Sequence, residues 1–210
     1  MNSTSFAGTI LAEDIVPDVL VAHREIADGD ENYLSTEELV SFEHCAPIVR
    51  RRSGAARLAA RQLMTIAGCE RWSLPRRKEG GPIWPPGFVG SLSHCDDYAA
   101  AAFACRSIFA GVGIDIEPTI PLPGDVLDII ATPFEQAELD RTSFEGRVLF
   151  CAKEAAYKAV YPIDKRFLDW HEIIVDFRSR TALTNYGRRV DIAFQINLAI
   201  IAVATIRAQT

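Results

Sequence analysis

No two of this chain's five cysteines are spaced as CxxC, and Cys45, Cys69, Cys95, Cys105 and Cys151 form no zinc-type cluster with its four histidines. An odd, scattered set excludes a disulfide framework and reads as reduced thiols of a cytoplasmic protein. No apolar run approaches the roughly 20 residues of a membrane span. The longest, Leu198 to Ile206, fits a buried strand. The N-terminal stretch lacks a basic region, and Glu13, Asp14 and Asp18 interrupt its apolar residues, so no secretory leader is expected in it. There is no P-loop, no kinase glycine loop and no GxSxG elbow, so the common nucleotide-phosphate and serine-hydrolase devices are missing.

What is present is an acidic, core-forming chain of 210 residues with a net charge of −6, the wrong sign for a general nucleic-acid binder. The charge is unevenly placed. Residues 1–49 hold ten acids and one strong base, Arg24. Residues 50–78 hold nine bases, among them Arg50, Arg51, Arg57, Arg76, Arg77 and Lys78, against the single acid Glu70. Such an island fits either a solvated helix face or a local anionic ligand or partner.

Helix formers dominate Ile48 to Ala67, and Gly68 ends that pattern. A stiff loop follows, from Leu74-Pro75 to Pro85-Pro86-Gly87. Ser91–His94 joins it to a small, apolar strand over Tyr98–Cys105, and Ala110–Ile116 predicts a second strand. Thr132-Pro133-Phe134-Glu135 predicts a capping box and a short helix through Asp140. Arg147–Val160 predicts a helix stopped before Pro162, and the stretches 170–177 and 190–206 read as closing strands. The sum is an α+β chain of two comparable lobes that meet near residues 105–110.

Three short elements carry chemistry. On a strand, Asp115 and Glu117 of Gly113-Ile114-Asp115-Ile116-Glu117 share one side. Two carboxylates so placed repel each other, and a divalent cation relieves the repulsion, although a solvent-facing strand edge gives the same triplet. On a helix, Glu154 and Lys158 of Lys153-Glu154-Ala155-Ala156-Tyr157-Lys158 share a face, with Phe150 one turn earlier. That pair is either an ordinary salt bridge or a third carboxylate beside a phosphate-holding ammonium. Gly90-Ser91-Leu92-Ser93-His94 offers a hydroxyl and an imidazole to phosphate oxygens. Adjacent residues of an extended chain point apart, so Ser93 and His94 are not a nucleophile–base pair with each other.

In this order and spacing the elements resemble the 4′-phosphopantetheinyl transferase superfamily, and among its members the single-chain surfactin/enterobactin type. The (I/V)G(I/V)DxE motif is matched by Val112 to Glu117. The (W/F)xxKExxxK motif is matched by Phe150, Lys153, Glu154 and Lys158. Ser91–His94 matches SxSH, and Gly80–Gly87 matches GxPxWPxG with one residue of play. The resemblance covers about residues 48–162.

It implies two similar pseudo-symmetric lobes, each a long helix packed on a small, mostly antiparallel sheet. Residues 1–108 would form the nucleotide side and 109–210 the metal side. It implies an enzyme that moves phosphopantetheine from coenzyme A to a serine of an apo acyl or peptidyl carrier protein, releasing 3′,5′-ADP. Asp115, Glu117 and Glu154 would hold Mg²⁺ with the pyrophosphate, and Lys158 would contact the same phosphates. Glu154, directly or through a bound water, would take the serine proton. Ser93, His94, Arg50, Arg57 and one of Arg76, Arg77 or Lys78 would hold the nucleotide end. The expected molecule is a cytoplasmic monomer with no nucleic-acid or membrane partner. Its loop style leans toward siderophore or other secondary metabolism. The alternatives from other classes are a non-catalytic module that holds coenzyme A or a carrier protein, and a different Mg²⁺-dependent phosphotransferase. On the same reasoning, removal of Asp115 is expected to relieve repulsion and slightly stabilise the protein.

Overall fold

The computed structural model describes residues 8–11, 15–69 and 72–209. Arg71 of the basic island and the N-terminal stretch through residue 7 lie outside the described residues. The chain divides into two compact units, Met1–Ser107 and Ile108–Thr210. Among the described residues there are two sheets, of four and five strands, and every pairing in them is antiparallel.

In the first unit the strands β1 (Thr9–Leu11), β2 (Val19–Glu25), β3 (Phe88–His94) and β4 (Tyr98–Cys105) lie in the order β1-β2-β4-β3. A single helical turn, α1 (Thr36–Leu39), precedes the long helix α2 (Pro47–Ile66). Proline opens α2, where its missing N–H costs nothing, and Gly68 follows the end with a positive φ of 78°. One stripe of α2, with Ala59, Ala60, Leu63 and Met64 fully buried, packs on Ala22, Ala101 and Phe103 of the sheet. The stiff loop after α2 lays Trp84 over Gly90, where an added Cβ would stand 2.8 Å from the indole ring.

Ser91–His94, read as a connector, is the second half of β3 and pairs residue by residue with Ala102–Ala99. Glycine and serine are weak strand formers, and the neighbouring alanine-rich β4 supplies the order that propensity does not.

The second unit orders β5 (Phe109–Pro118), β6 (Ile173–Asp176), β7 (Thr181–Thr184), β8 (Arg189–Ile196) and β9 (Ala199–Arg207) as β5-β9-β8-β7-β6. Three helices sit between β5 and β6: α3 (Gly124–Ile130), α4 (Pro133–Glu138) and α5 (Glu145–Asp164). The capping box of α4 forms as the sequence predicts, with Thr132 and Glu135 exchanging both bonds. The stop before Pro162 does not occur. Proline in the last turn deletes one backbone bond, and α5 runs on to Asp164 and ends at Lys165 in the left-handed region. The stretch 170–177 divides into a 3₁₀ turn, Trp170–Glu172, and β6.

Two glycines set how closely α5 approaches the sheet. A Cβ on Gly113 would overlap the carbonyl oxygen of Ala155 and come within 2.7 Å of the Ala159 nitrogen. One on Gly111 would overlap the Ala159 carbonyl oxygen. Helix backbone therefore rests directly on strand backbone, and both obstacles are main-chain atoms that cannot swing away. Gly113→Ala is expected to cost about 3 kcal/mol, the upper part of the overpacking range, in urea unfolding. A variant as stable as the parent would show that α5 can lift off β5.

Candidate active site

The close approach of α5 to β5 brings the second and third motifs together. Gly111, Gly113, Asp115 and Glu117 alternate with Val112, Ile114 and Ile116, so the carboxylates stand on the helix-bearing face of β5. Ile114 and Ile116 are fully buried on the opposite face. Lys158 Nζ donates to Asp115 Oδ1 at 2.7 Å and to the Ile114 carbonyl at 3.3 Å. Asp115 is 4 % exposed.

Charge in this corner is crowded. Burial and the neighbouring Asp115 push the Glu117 carboxyl above the ordinary glutamate range, against the opposing pull of Arg147 and Lys158. Burial also raises Glu154, eased by Lys158 and reinforced by Asp115. Burial alone would lower the Lys158 ammonium, but Asp115 and then Glu154 more than offset it and hold it above its usual range. Cys151 is fully buried behind the acids, and burial with their negative charge keeps its thiol protonated.

Sequence reasoning missed Arg147 in this corner, and it read Lys153 as a motif position without its partners. Arg147, near the start of α5, donates to Glu117 Oε2 at 3.0 Å and to the carbonyls of Ile120 and Pro121. It lies seven residues before Glu154, hence on a neighbouring stripe, a signal that helical spacing carries. Lys153 is completely buried and donates to Glu135 Oε2, Ile130 O and Trp170 O at 2.8, 2.8 and 2.9 Å. Glu135 returns its other oxygen to the Val175 N–H at 2.8 Å. One ion pair thereby ties α5 to α3, α4, the Trp170 turn and β6. Glu135 is legible as a cap, but its second partner is not.

Whether these residues suit Mg²⁺ turns on their chemistry. Among the described residues no three His, Cys, Asp or Glu side chains converge as a ready-made metal cluster. Mg²⁺ does not need one, because it keeps several waters and binds through one or two carboxylates plus substrate phosphates. Hard oxygen donors, two of them held above their ordinary range by burial and mutual repulsion, fit that pattern.

The ion pair reverses the stability expectation for Asp115. Removing its charge relieves Glu117 but strands the half-buried Lys158 ammonium. Asp115→Asn is therefore expected to lose about 1–3 kcal/mol, the cost of an orphaned partly buried partner. Urea unfolding in chelator measures it, and an unchanged or higher midpoint would show the pair to be dispensable.

The first unit places its candidate residues differently. Ser93 is buried and His94 exposed, on opposite faces of β3. Much of the basic island meets the acidic N-terminal stretch. Arg51 pairs with Asp28 at 2.6 Å and Glu31 at 3.3 Å, and Arg61 with Glu38 at 2.9 Å. Arg52 pairs with Asp96 at 2.6 Å. Arg50 donates to the carbonyls of Phe42 and Glu43.

Arg57 is 5 % exposed, lies over the Phe42 ring and donates to the carbonyls of Leu74 and Ser53. Burial, with the Arg61 and Arg76 charges and against the pull of Glu38, lowers it to about 10. Fully buried Glu38 caps α1 and also accepts the Leu74 N–H at 2.7 Å. In contrast, Arg76, Arg77 and Lys78 are exposed, and no ion pair among the described residues involves them. They sit beside a tight turn in which the Arg77 N–H donates to Gly81 O.

Comparison with known proteins bears on both units. Residues 36–104 match the model of the 4′-phosphopantetheinyl transferase N-terminal domain, and residues 111–204 that of the 4′-phosphopantetheinyl transferase superfamily. The chain is similar to 4′-phosphopantetheinyl transferase Npt of Nocardia iowensis, with 43 % identity over 141 residues, covering 66 % of this chain and 64 % of the relative. It is similar to 4′-phosphopantetheinyl transferase PptT of Mycobacterium tuberculosis, with 36 % identity over 163 residues, covering 71 % of this chain and 70 % of the relative. Enterobactin synthase component D of Escherichia coli (strain K12) is 35 % identical over 99 residues, 44 % of this chain and 46 % of that one. The matched stretches carry the facing carboxylates and lysine of β5 and α5 as well as the β3 motif, and on that combined ground the chain belongs to the 4′-phosphopantetheinyl transferase superfamily.

Proposed function

We propose that the protein transfers the 4′-phosphopantetheine group of coenzyme A to a serine of an apo acyl or peptidyl carrier protein. The observation that carries the reading is the meeting of Asp115, Glu117 and Lys158 where α5 rests on β5, with Glu154 one turn before Lys158 on the same helix face. The serine Oγ forms a bond to the β-phosphorus while the bond from that phosphorus to the bridging oxygen breaks, and 3′,5′-ADP leaves. Glu154, whose raised pKa makes it a better proton acceptor near neutrality, takes the hydroxyl proton. Lys158 meets the charge that grows on the leaving phosphate.

Asp115, Glu117 and Glu154 would hold Mg²⁺, which when bound neutralises the pyrophosphate and polarises the phosphorus. Arg147 keeps Glu117 turned toward the site. The first unit, residues 1–108, supplies the nucleotide side and residues 109–210 the metal side. Exposed His94 and one of the loop residues Arg76, Arg77 or Lys78 contact phosphates directly, with Ser93 beside them. Buried Arg57 supports that loop through the Leu74 carbonyl, and Arg50 fastens the start of α2. The two units are pseudo-symmetric on this reading, since each sets a 20-residue helix on an antiparallel sheet. A cytoplasmic, monomeric protein serving siderophore or related secondary metabolism agrees with the composition and with the enterobactin relative. No described helix is long and apolar enough to cross a membrane.

Intact-protein mass spectrometry of a panel of apo-carrier proteins, incubated with the protein, Mg²⁺ and coenzyme A, tests this. Addition of the phosphopantetheine mass to at least one carrier, abolished by chelator, is the expected result. Carriers retained on the protein but never modified would establish the non-catalytic binding module instead.

A further inference from the structure

At the end of β5 far from the carboxylates, the second unit encloses an open cavity of about 610 Å³. Ala110 and Asp115 are five residues apart, roughly 17 Å along a strand, so this space is separate from the corner described above. Ala110, Ile163 and Ile206 give it an apolar floor. Its walls carry Tyr186, Arg188, Arg189 and Arg207. The β5–β9 register shifts between Phe109 and Gly111, a bulge that opens the strand pair at the cavity.

Two of the guanidinium groups here, those of Arg188 and Arg207, are held in place before any ligand arrives. Arg188 grips Asp164 through Nε at 3.0 Å and through Nη2, and Tyr186 donates to the same carboxylate at 2.8 Å. Arg166 lies 4.7 Å over the Tyr186 ring and Arg207 4.9 Å over the Phe109 ring. Arg189 is 70 % exposed, with Asp191 no nearer than 3.9 Å. Three cations (Arg188, Arg189 and Arg207) thus line the cavity, and Lys165 and Arg166 follow α5 next to it in sequence, on a chain whose net charge is −6. Lys165 and Arg166 are accounted for by the exposed carbonyls at the end of α5. Arg189 has the long 3.9 Å contact with Asp191, and Arg207 is stacked on Phe109. Both line a cavity whose volume lies within the range of small-ligand sites. Guanidinium edges above an apolar floor select an anionic head on an apolar body.

We propose that this cavity binds a small amphipathic anion, a phosphate or carboxylate on an apolar body, independently of the transfer site. Calorimetric titration with phenyl phosphate, benzoate and inorganic phosphate tests it on the parent protein and on Arg207→Gln and Arg189→Gln. Both substitutions leave the Asp164–Arg188 pair intact. Saturable binding of phenyl phosphate or benzoate is expected, tighter than that of inorganic phosphate, which leaves the floor unused. The tighter of the two aromatic probes identifies the head group. Each variant is expected to weaken binding by about tenfold with an unchanged melting temperature, the scale of one hydrogen bond to a charged group. Coenzyme A should not displace the probe. Absence of saturable binding, parental affinity in both variants, or displacement by coenzyme A would each overturn the proposal; the last would move the probe to the transfer site.

Discussion

Replacing Glu154 with glutamine lowers phosphopantetheine transfer by about 10²- to 10⁴-fold, the span associated with a positioned proton acceptor. The amide keeps the shape of the side chain and loses the charge and the basicity. Raising Mg²⁺ separates the two losses, since excess cation can restore a weakened cation site but cannot supply a base. Stability moves the other way. The folded protein holds the Glu154 proton to a higher pH than the unfolded chain does. Between the ordinary glutamate value and that raised value the folded state carries more protons, so its stability is fully present below the window and falls as pH rises through it. Glutamine removes this loss, and the variant should be at least as stable as the parent at neutral pH, with a flatter stability profile. Single-turnover transfer rates and urea unfolding across pH 4–8 measure both effects. A variant that transfers at the parental rate would remove Glu154 from the chemistry.

Lys153→Met is expected to cost about 3–5 kcal/mol, because the change leaves Glu135 charged in a place no water reaches. The two residues have side-chain exposures of 0 % and 1 %. Burial already holds the Lys153 ammonium below its ordinary range despite the pull of Glu135. The pair thus persists against its own desolvation, through two further carbonyl bonds on the ammonium and two backbone N–H bonds on the carboxylate. Glu135→Gln should do less harm, since an amide oxygen still accepts from Thr132 or Val175. Urea midpoints rank the two variants, and a loss under 1 kcal/mol in Lys153→Met would show that the packing around α5 holds without the pair.

The parts of the fold readable in advance are those whose physics is local. Helix α2 announces itself by its alanines, leucine and arginines and by Gly68, and α4 by its capping box. The grouping of Asp115 with Glu117, and of Glu154 with Lys158, follows from strand and helix periods alone. Strands β2 and β7 and helix α3 carry no comparable local signal. Their order comes from partners far along the chain, as with Val19–Glu25, which pairs with Ala104–Tyr98.

The same limit governs the site. That Lys158 meets Asp115 depends on Gly111 and Gly113 admitting the helix backbone, a fact visible only once β5 and α5 are packed. The second partners of Glu135 and Glu38 lie 18 and 23 residues away. The charge pattern of residues 1–78 is plain in the sequence. That Arg51, Arg57 and Arg61 are partly neutralised by Asp28, Glu31 and Glu38 is a property of the folded unit.

That neutralisation bears on how fast an anion can find this protein. With Arg51, Arg52 and Arg61 occupied at home, the far field of the chain follows its net charge, −6, and repels a highly charged anion such as coenzyme A. At an ionic strength near 0.01 M that field reaches about 30 Å, and near 0.15 M about 8 Å. Association should therefore quicken as salt is first added, even while the contacts proposed for Arg76–Lys78 weaken and dissociation speeds up. Stopped-flow traces taken over that range would show the two rate constants rising together, and a falling association rate would reveal attractive steering instead.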